Sequence, residues 1–223
     1  MIRSIFIYTL ALLFVSNLGV TQNTDMMLNA KPYDEERYDN FKGEAYLWDE
    51  PVLVTLNSLN GEPIKGVSGN YNMAEGEFEV YKDKKFIVLN KLRFPIIEHT
   101  DSDGETTTLI SVAHPKLNFG FCIQHHKEEN FMILEKRKKL KSEVKVETPG
   151  QTQHLNRFKN SRDYYILKNG KLIKIKLSRK KITKEFGHTK EIKEYIKSNK
   201  LKVKKIEDAV ILLKYMNEQG WLI

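Results

Sequence analysis

The feature that most constrains this chain is a series of short strand-like runs joined by turns too brief for any crossover. The clearest case is Tyr164-Tyr165-Ile166-Leu167-Lys168, the turn Asn169-Gly170, and the return from Lys171 to Leu177. Asn-Gly accepts the positive φ values of a two-residue hairpin turn, so the two runs are expected to pair. The same grammar recurs upstream. Ala45-Tyr46-Leu47-Trp48 and Val52-Leu53-Val54-Thr55-Leu56 are aromatic and β-branched, as strands prefer, and Asn60-Gly61 follows them. Glu77 to Tyr81 alternates polar and apolar residues, and Asp83-Lys84 turns into Phe86 to Leu89. Arg93 to Ile97 and Thr106 to Val112 flank Asp101-Ser102-Asp103-Gly104. Phe119 to Gln124 and Phe131 to Glu135 flank a polar turn at Lys127 to Asn130. Strands linked this closely must run antiparallel, because parallel neighbours need connections of a dozen or more residues.

Between these runs, residues 136 to 162 turn basic and contain Thr148-Pro149-Gly150-Gln151. The stretch reads as a loop or linker with a short helix near Asn156 to Asn160, and 141–162 is the candidate sub-boundary of the domain. After Leu177 the period becomes helical. Ser178 is placed to cap a helix ending at Gly187, and Thr189 to cap a second. Ile192, Tyr195 and Ile196 share a face, and Ala209, Val210, Leu213 and Met216 recur at helical spacing in a third helix from about Ile206. Each apolar stripe needs cover, and the β-rich part of the same chain is the nearest. The expected fold is α+β. An antiparallel β-rich body, a curved sheet or sandwich, carries two or three C-terminal helices. The hairpin at 164 to 177 belongs to that sheet or to a small module of its own, and one body over residues 43–223 is preferred.

The N-terminus has a different logic. Arg3 precedes an apolar stretch from Ile5 to Val15, followed by Ser16, Asn17, Gly19 and Thr21. This order of charged, apolar and small residues is the secretory signal pattern. The apolar run is shorter than the roughly 20 residues of a membrane-spanning helix. Residues 1–21 are therefore expected to be a signal peptide cut near Gly19 to Thr21, and 22–42 a polar spacer. The mature protein would be exported, periplasmic or secreted. The one cysteine, Cys122, has no internal partner and sits in Phe-Gly-Phe-Cys-Ile. A mature chain of this length buries a core without disulfide staples, so Cys122 reads as a small buried hydrophobe.

Charge divides the chain. Residues 22 to 130 hold 11 Lys or Arg against 19 Asp or Glu, whereas residues 131 to 223 hold 25 against 10. Such asymmetry points to a polyanionic partner or to a solvated lysine-rich face. Export argues against nucleic acid. An acidic protein, a glycan or an anionic lipid surface fits the Lys-rich C-terminal half better.

No catalytic pattern closes. His125 and His126 are adjacent, and strand neighbours point to opposite faces, so they do not share one ion. His99, His114, His154 and His188 are scattered. Aligning Gly104 with the invariant glycine of a calcium loop puts His99 and Ile110 where that loop needs carboxylates. Gly66-Val67-Ser68-Gly69 lacks the Gly-x-Ser-x-Gly spacing of a nucleophile elbow. Cys122 and His125 fall on opposite strand faces. Glu77 and Glu79 share a face, as paired carboxylates of a glycosidase would, but their alternation with Phe78 and Val80 reads as a solvated sheet face. Tyr46, Trp48, Tyr71, Phe78 and Tyr81 read as core before they read as a sugar-stacking platform. No catalytic, cofactor-binding or metal-ligating residues are expected.

Three segments carry a resemblance: Gly43-Glu44-Ala45-Tyr46-Leu47, Asn70-Tyr71-Asn72 before Glu77-Phe78-Glu79-Val80, and Tyr164-Tyr165-Ile166-Leu167 before a hairpin and a lysine-rich helical tail. They resemble exported, uncharacterised proteins of Gram-negative cell envelopes. The resemblance implies an envelope location and carries over no catalytic residue. The expected function is that of a non-catalytic binding or structural component of the bacterial cell envelope. The alternative is an envelope hydrolase acting on glycan.

Overall fold

A computed structural model describes residues 27–31, 37–82, 85–117, 120–148 and 151–222. The signal-like segment 1–21 and the turn Asp83-Lys84 lie outside the described residues. The architecture is α+β: one large, mostly antiparallel sheet followed by three helices.

Two meanders share one sheet. The first contains β3 (Val52–Asn57), β4 (Ile64–Asn72), β5 (Glu77–Lys82) and β6 (Lys85–Leu89). The second runs from β7 (Ile96–Thr100) and β8 (Thr106–Ser111) through β9 (Phe121–Glu128) to β10 (Phe131–Thr148), β11 (Gln151–Lys168) and β12 (Lys171–Ile175). They join because β7 returns to pair with β3, the first strand of the first meander, with Leu56 opposite Ile97. The resulting order is β1-β6-β5-β4-β3-β7-β8-β9-β10-β11-β12, with β1 (Met27–Lys31) at one edge and the two-residue β2 (Phe41–Lys42) running parallel to β11. The hairpins are where the turn residues put them. Asn169 (φ 49°) and Gly170 (φ 76°) close β11–β12. Asp101 Oδ1 accepts from the amides of Asp103 and Glu105 in the β7–β8 turn.

The structure departs from the sequence expectations in several places. Residues 136 to 162, expected to be a linker with a helix near Asn156 to Asn160, are continuous strand, and β10 and β11 pair residue for residue from Phe131–Lys168 out to Thr148–Gln151. Lysine on both faces hides the alternation, and pairing with the partner strand supplies the order instead. Residues 22–42, expected to be a spacer, contribute β1 and β2 to the sheet. Ala45 to Trp48 makes only an isolated bridge, Tyr46 to Asn72. Strand β4 spans a Gly-interrupted run that carries no alternation. Gly69 is required there, because a Cβ would stand 2.6 Å from the Phe78 ring and 2.8 Å from the Glu79 carbonyl.

The helices are α1 (Arg179–Phe186), α2 (Thr189–Ser198) and α3 (Ile206–Glu218). Ser178 caps α1 by accepting from the Lys181 amide, and Gly187 closes it with φ 74°. Thr189 does not cap α2; His188, in a left-handed conformation, holds that position without a side-chain bond. Ile192 and Ile196, and Ala209, Leu212, Leu213 and Met216, are spaced three and four apart, so each helix buries one stripe. These stripes pack on Phe131, Ile133, Ile166 and Ile175 of the last three strands. Each fully buried Leu or Ile stabilises the fold by about 1.5–3 kcal/mol. A second core gathers Val54, Leu56, Tyr71, Phe78, Ile97 and Leu109 from the first meander and its junction. A third holds Leu117, Cys122, Leu134, Tyr165 and Leu172. Cys122 lies buried in it, and burial pushes its thiol up to about 11.

Candidate functional site

The polar features of interest grow from the base of the β10–β11 hairpin. Along β10, Glu135, Arg137 and Lys139 alternate with Lys136 and Lys138, so cations appear on both faces. Glu135 is 1% exposed. A carboxylate buried so deeply is tolerated only when its oxygens are fully paired. Arg137 Nε donates to Oε1 at 2.7 Å and Nη2 to Oε2 at 3.2 Å. His125 Nε2 lies 2.8 Å from Oε2, and Arg162 Nε is 3.8 Å from Oε1.

His125 reaches Glu135 because β9 is bulged. Ile133 faces His126 and Leu134 faces Gln124, leaving His125 as the extra residue. A bulge re-aims a side chain that regular alternation would send elsewhere. The two adjacent histidines therefore part company for a reason alternation does not give: His126 pairs with Glu128 at 2.8 Å, and His125 with Glu135. Burial pushes the Glu135 carboxyl up, but the hydrogen bonds from His125 and Arg137 outweigh it and hold the group at about 2. An ionised carboxylate only accepts, so near neutral pH the proton between the pair sits on His125 Nε2. Glu135 is an anchor for two donors and is not a source of protons near neutral pH.

Both anchored donors open onto solvent. A depression of about 540 Å³ is lined by Trp48, Thr106, Thr107, Gln124, His125 and Arg137. The carboxylates of Glu105, in the β7–β8 turn, and Glu207, in the first turn of α3, also border it. A second depression of about 270 Å³ shares Leu47 and Arg137 with the first. Arg137, Lys139 and Arg162 border it together with two acidic residues, Glu44 and Asp49.

From this base the hairpin runs outward as an arm. Residues 136 to 163 hold nine Lys or Arg against three Asp or Glu. Among the described residues, the backbone of β11 is joined near Arg157 by β2, and the Lys139 amide donates to the Met73 carbonyl. Further out, among the described residues, the two strands pair only with each other. Tyr38 and Phe41 brace the arm through Phe158, with ring centroids 5.3 and 4.8 Å away, and Lys141 pairs with Glu75 at 3.0 Å. Val144 stands opposite Leu155, and Leu140 and Leu155 are about half exposed.

The carboxylates singled out in sequence lie elsewhere and are not a pair on a solvated face. Glu79 is 1% exposed. Arg37 donates to both its oxygens at 2.8 and 3.0 Å, and Tyr46 and Asn72 each donate at 2.9 Å. Arg37 comes from the segment expected to be a spacer, and that segment covers the face that alternation assigned to water. Among the aromatics, Tyr71 and Phe78 are core, Trp48 borders the first depression, and Tyr81 is 39% exposed. On the other side of β10, Lys136 is buried and donates to the Leu117 carbonyl, crossing Gly120 where a Cβ would stand 2.8 Å from Nζ. Burial lowers its pKa. His99 Nδ1 donates to the Leu53 carbonyl at 2.9 Å, and His154 pairs with Glu143. Among the described residues no three His, Cys, Asp or Glu side chains converge as a metal site would require, and no helix is long and apolar enough to cross a membrane. The site residues that sequence reasoning missed are Glu135, Arg137 and Arg162; the one available signal was a lone acid, Glu135, at the head of a basic run.

No family model matches this chain, and neither a curated protein nor a solved structure does.

Proposed function

We propose that the protein is exported and serves as a non-catalytic binding or structural component of the bacterial cell envelope, in the periplasm or secreted, with a polyanion as its partner. The observation that carries this reading is the hairpin arm. It concentrates nine basic residues against three acidic ones on a two-stranded ribbon whose outer part has no backbone partner but itself among the described residues. An isolated hairpin in water is marginal, so a ribbon of this kind is supported by its braced base and by what it binds. The leader-like residues 1–21 supply the compartment, and the compartment favours an acidic glycan, protein or lipid surface over nucleic acid. The alternative, glycan hydrolysis, needs a carboxyl group that holds a proton near neutral pH. The buried carboxylate of this site is held ionised, which favours binding over acid catalysis.

Two measurements test the reading. N-terminal sequencing of the protein recovered from a periplasmic or culture fraction should find a start soon after Thr21; a cytoplasmic, full-length product would sink the export claim. Affinity for linear polyphosphate should fall steeply as salt rises from about 0.05 to 0.5 M, because exposed charge pairs are screened over roughly 10 Å at 0.1 M. It should also fall on Lys141→Glu with Lys145→Glu and Lys159→Glu. Affinity that ignores both salt and charge reversal would remove the arm from the contact.

A further inference from the structure

We infer that one face of the β10–β11 arm docks on an anionic lipid surface, with its aliphatic side chains entering the headgroup boundary and its cations meeting the lipid phosphates; this rests on the polyanion reading above and names the anion.

The strands of the arm pair without a break, so residues directly opposite each other share a face. One face carries Lys141, Glu143, Lys145, His154 and Phe158. It is occupied within the fold: Phe158 stacks on Phe41, Lys141 pairs with Glu75, and Glu143 pairs with His154. The opposite face carries Leu140, Val144 and Val146 from β10, and Leu155, Arg157 and Lys159 from β11. Leu140 and Leu155 are 48% and 45% exposed, and among the described residues none of the four aliphatic side chains joins a core cluster. Strand β2 adds a further cation. Phe41 lies with Phe158, so Lys42 falls on the opposite face, in register with Arg157.

Among the described residues, no carboxylate pairs with Lys42, Arg157 or Lys159. Glu75 and Glu77 border the β10 margin of the arm beside Lys138, so that lysine is not counted with the three. Like charges side by side in a sheet are unfavourable, and an anionic cover relieves them. A second copy laid on this face would bring the same cations and no anion. The aliphatic part of the face then selects among anions. A soluble phosphate chain offers nothing to Leu140, Val144, Val146 and Leu155. Protein interfaces centre on aromatic anchors, and the aromatic side chain of the arm, Phe158, lies on the other face. A bilayer boundary takes up aliphatic side chains without a matched pocket, while Lys and Arg stems snorkel to the phosphates. Each basic residue near such a surface strengthens binding about fivefold.

The test is co-sedimentation of the mature chain, freed of its apolar leader, with phosphatidylcholine vesicles that lack or contain about a third phosphatidylglycerol. Linear polyphosphate serves as the soluble anion. The anionic vesicles should bind at least about tenfold more tightly than the neutral ones, and salt should weaken them. Val144→Ser with Leu155→Ser should weaken vesicle binding severalfold and leave polyphosphate unchanged. Lys42→Gln with Arg157→Gln and Lys159→Gln should weaken both by about tenfold or more. Melting temperatures confirm that the variants are folded. An environment-sensitive fluorophore on Leu155→Cys should shift to shorter wavelength on anionic vesicles, and the same fluorophore on Lys145→Cys should not; Cys122 is buried and stays unlabelled. No binding to anionic vesicles, unchanged binding of the serine variant, or equal shifts at the two labelled positions overturns the lipid face. If polyphosphate still binds in a salt-dependent way in that case, the broader polyanion reading stands and only this inference falls. If polyphosphate fails as well, both fall.

Discussion

Glu79 and Glu135 are each 1% exposed and each is gripped by an arginine, yet they sit in opposite situations. Glu79 is closed over. Arg37, Tyr46 and Asn72 converge on it from three separate segments, and Arg37 Nε is buried without a partner among the described residues. Glu135 is open behind its partners: His125 and Arg137 hold it from one side and border a depression on the other. The same chemistry fastens a chain segment to the sheet in one place and presents donors to solvent in the other. A buried ion pair is therefore informative about binding only when one of its members also faces a cavity.

Removing each carboxylate is the most severe way to break this comparison. Glu79→Ala leaves a largely buried guanidinium without its anion, and should destabilise the fold by about 3–5 kcal/mol in urea unfolding. Glu135→Ala should cost less, about 2 kcal/mol, because Arg137 and His125 turn outward into water. If Glu135→Ala proves the more costly, the distinction between closed and open sites is lost. Acid sharpens the contrast further. The folded-state pKa of Glu135 is depressed from 4.5 to about 2. Its contribution is thus complete above the unfolded value and disappears as pH falls from about 5 to 2, a loss of the order of 3 kcal/mol. Unfolding curves at pH 7 and pH 2 should differ by less in Glu135→Gln than in the parent; an unchanged difference would show that the carboxylate is not held down.

A smaller effect separates rigid from yielding surroundings. Gly69→Ala drives a Cβ into the Phe78 ring and the carbonyl of Glu79, and should cost about 2–3 kcal/mol as overpacking does. Gly120→Ala meets the flexible end of Lys136, and should cost about 1 kcal/mol or less. Smallest of all, Leu155→Ser on the exposed arm should leave the melting point nearly unchanged, within about 0.5 kcal/mol, while altering any surface the arm binds. A large loss there would mean that the arm is packed against something within the fold.

What the sequence discloses and what it hides follow from interaction range. The hairpin at Asn169-Gly170, the cap at Ser178 and the stripe Ile192-Ile196 are decided by neighbours a few residues away, and they stand where local rules place them. The burial of Glu79 depends on Arg37, 42 residues distant, and on a segment with no periodicity of its own. The β10–β11 arm is strand because two polar runs face each other, which neither run announces alone. The position of His125 depends on a single extra residue in β9, and a count of alternating faces has no means of finding it. The site was therefore less legible than the fold, since the pairing of His125 with Glu135 joins two elements and depends on that bulge.

The division of the core has a kinetic corollary. The cluster around Phe78 and Leu109 draws on residues between Val54 and Ile123, and the cluster under the helices on residues between Phe131 and Leu222. Each is nearly self-contained along the chain, whereas β1 must find β6 across some sixty residues. Amide protons should then gain protection in two blocks during refolding, with the β1–β6 ladder locking last, and a chain delivered N-terminus first would carry its earliest strand unpaired until Leu89 had followed.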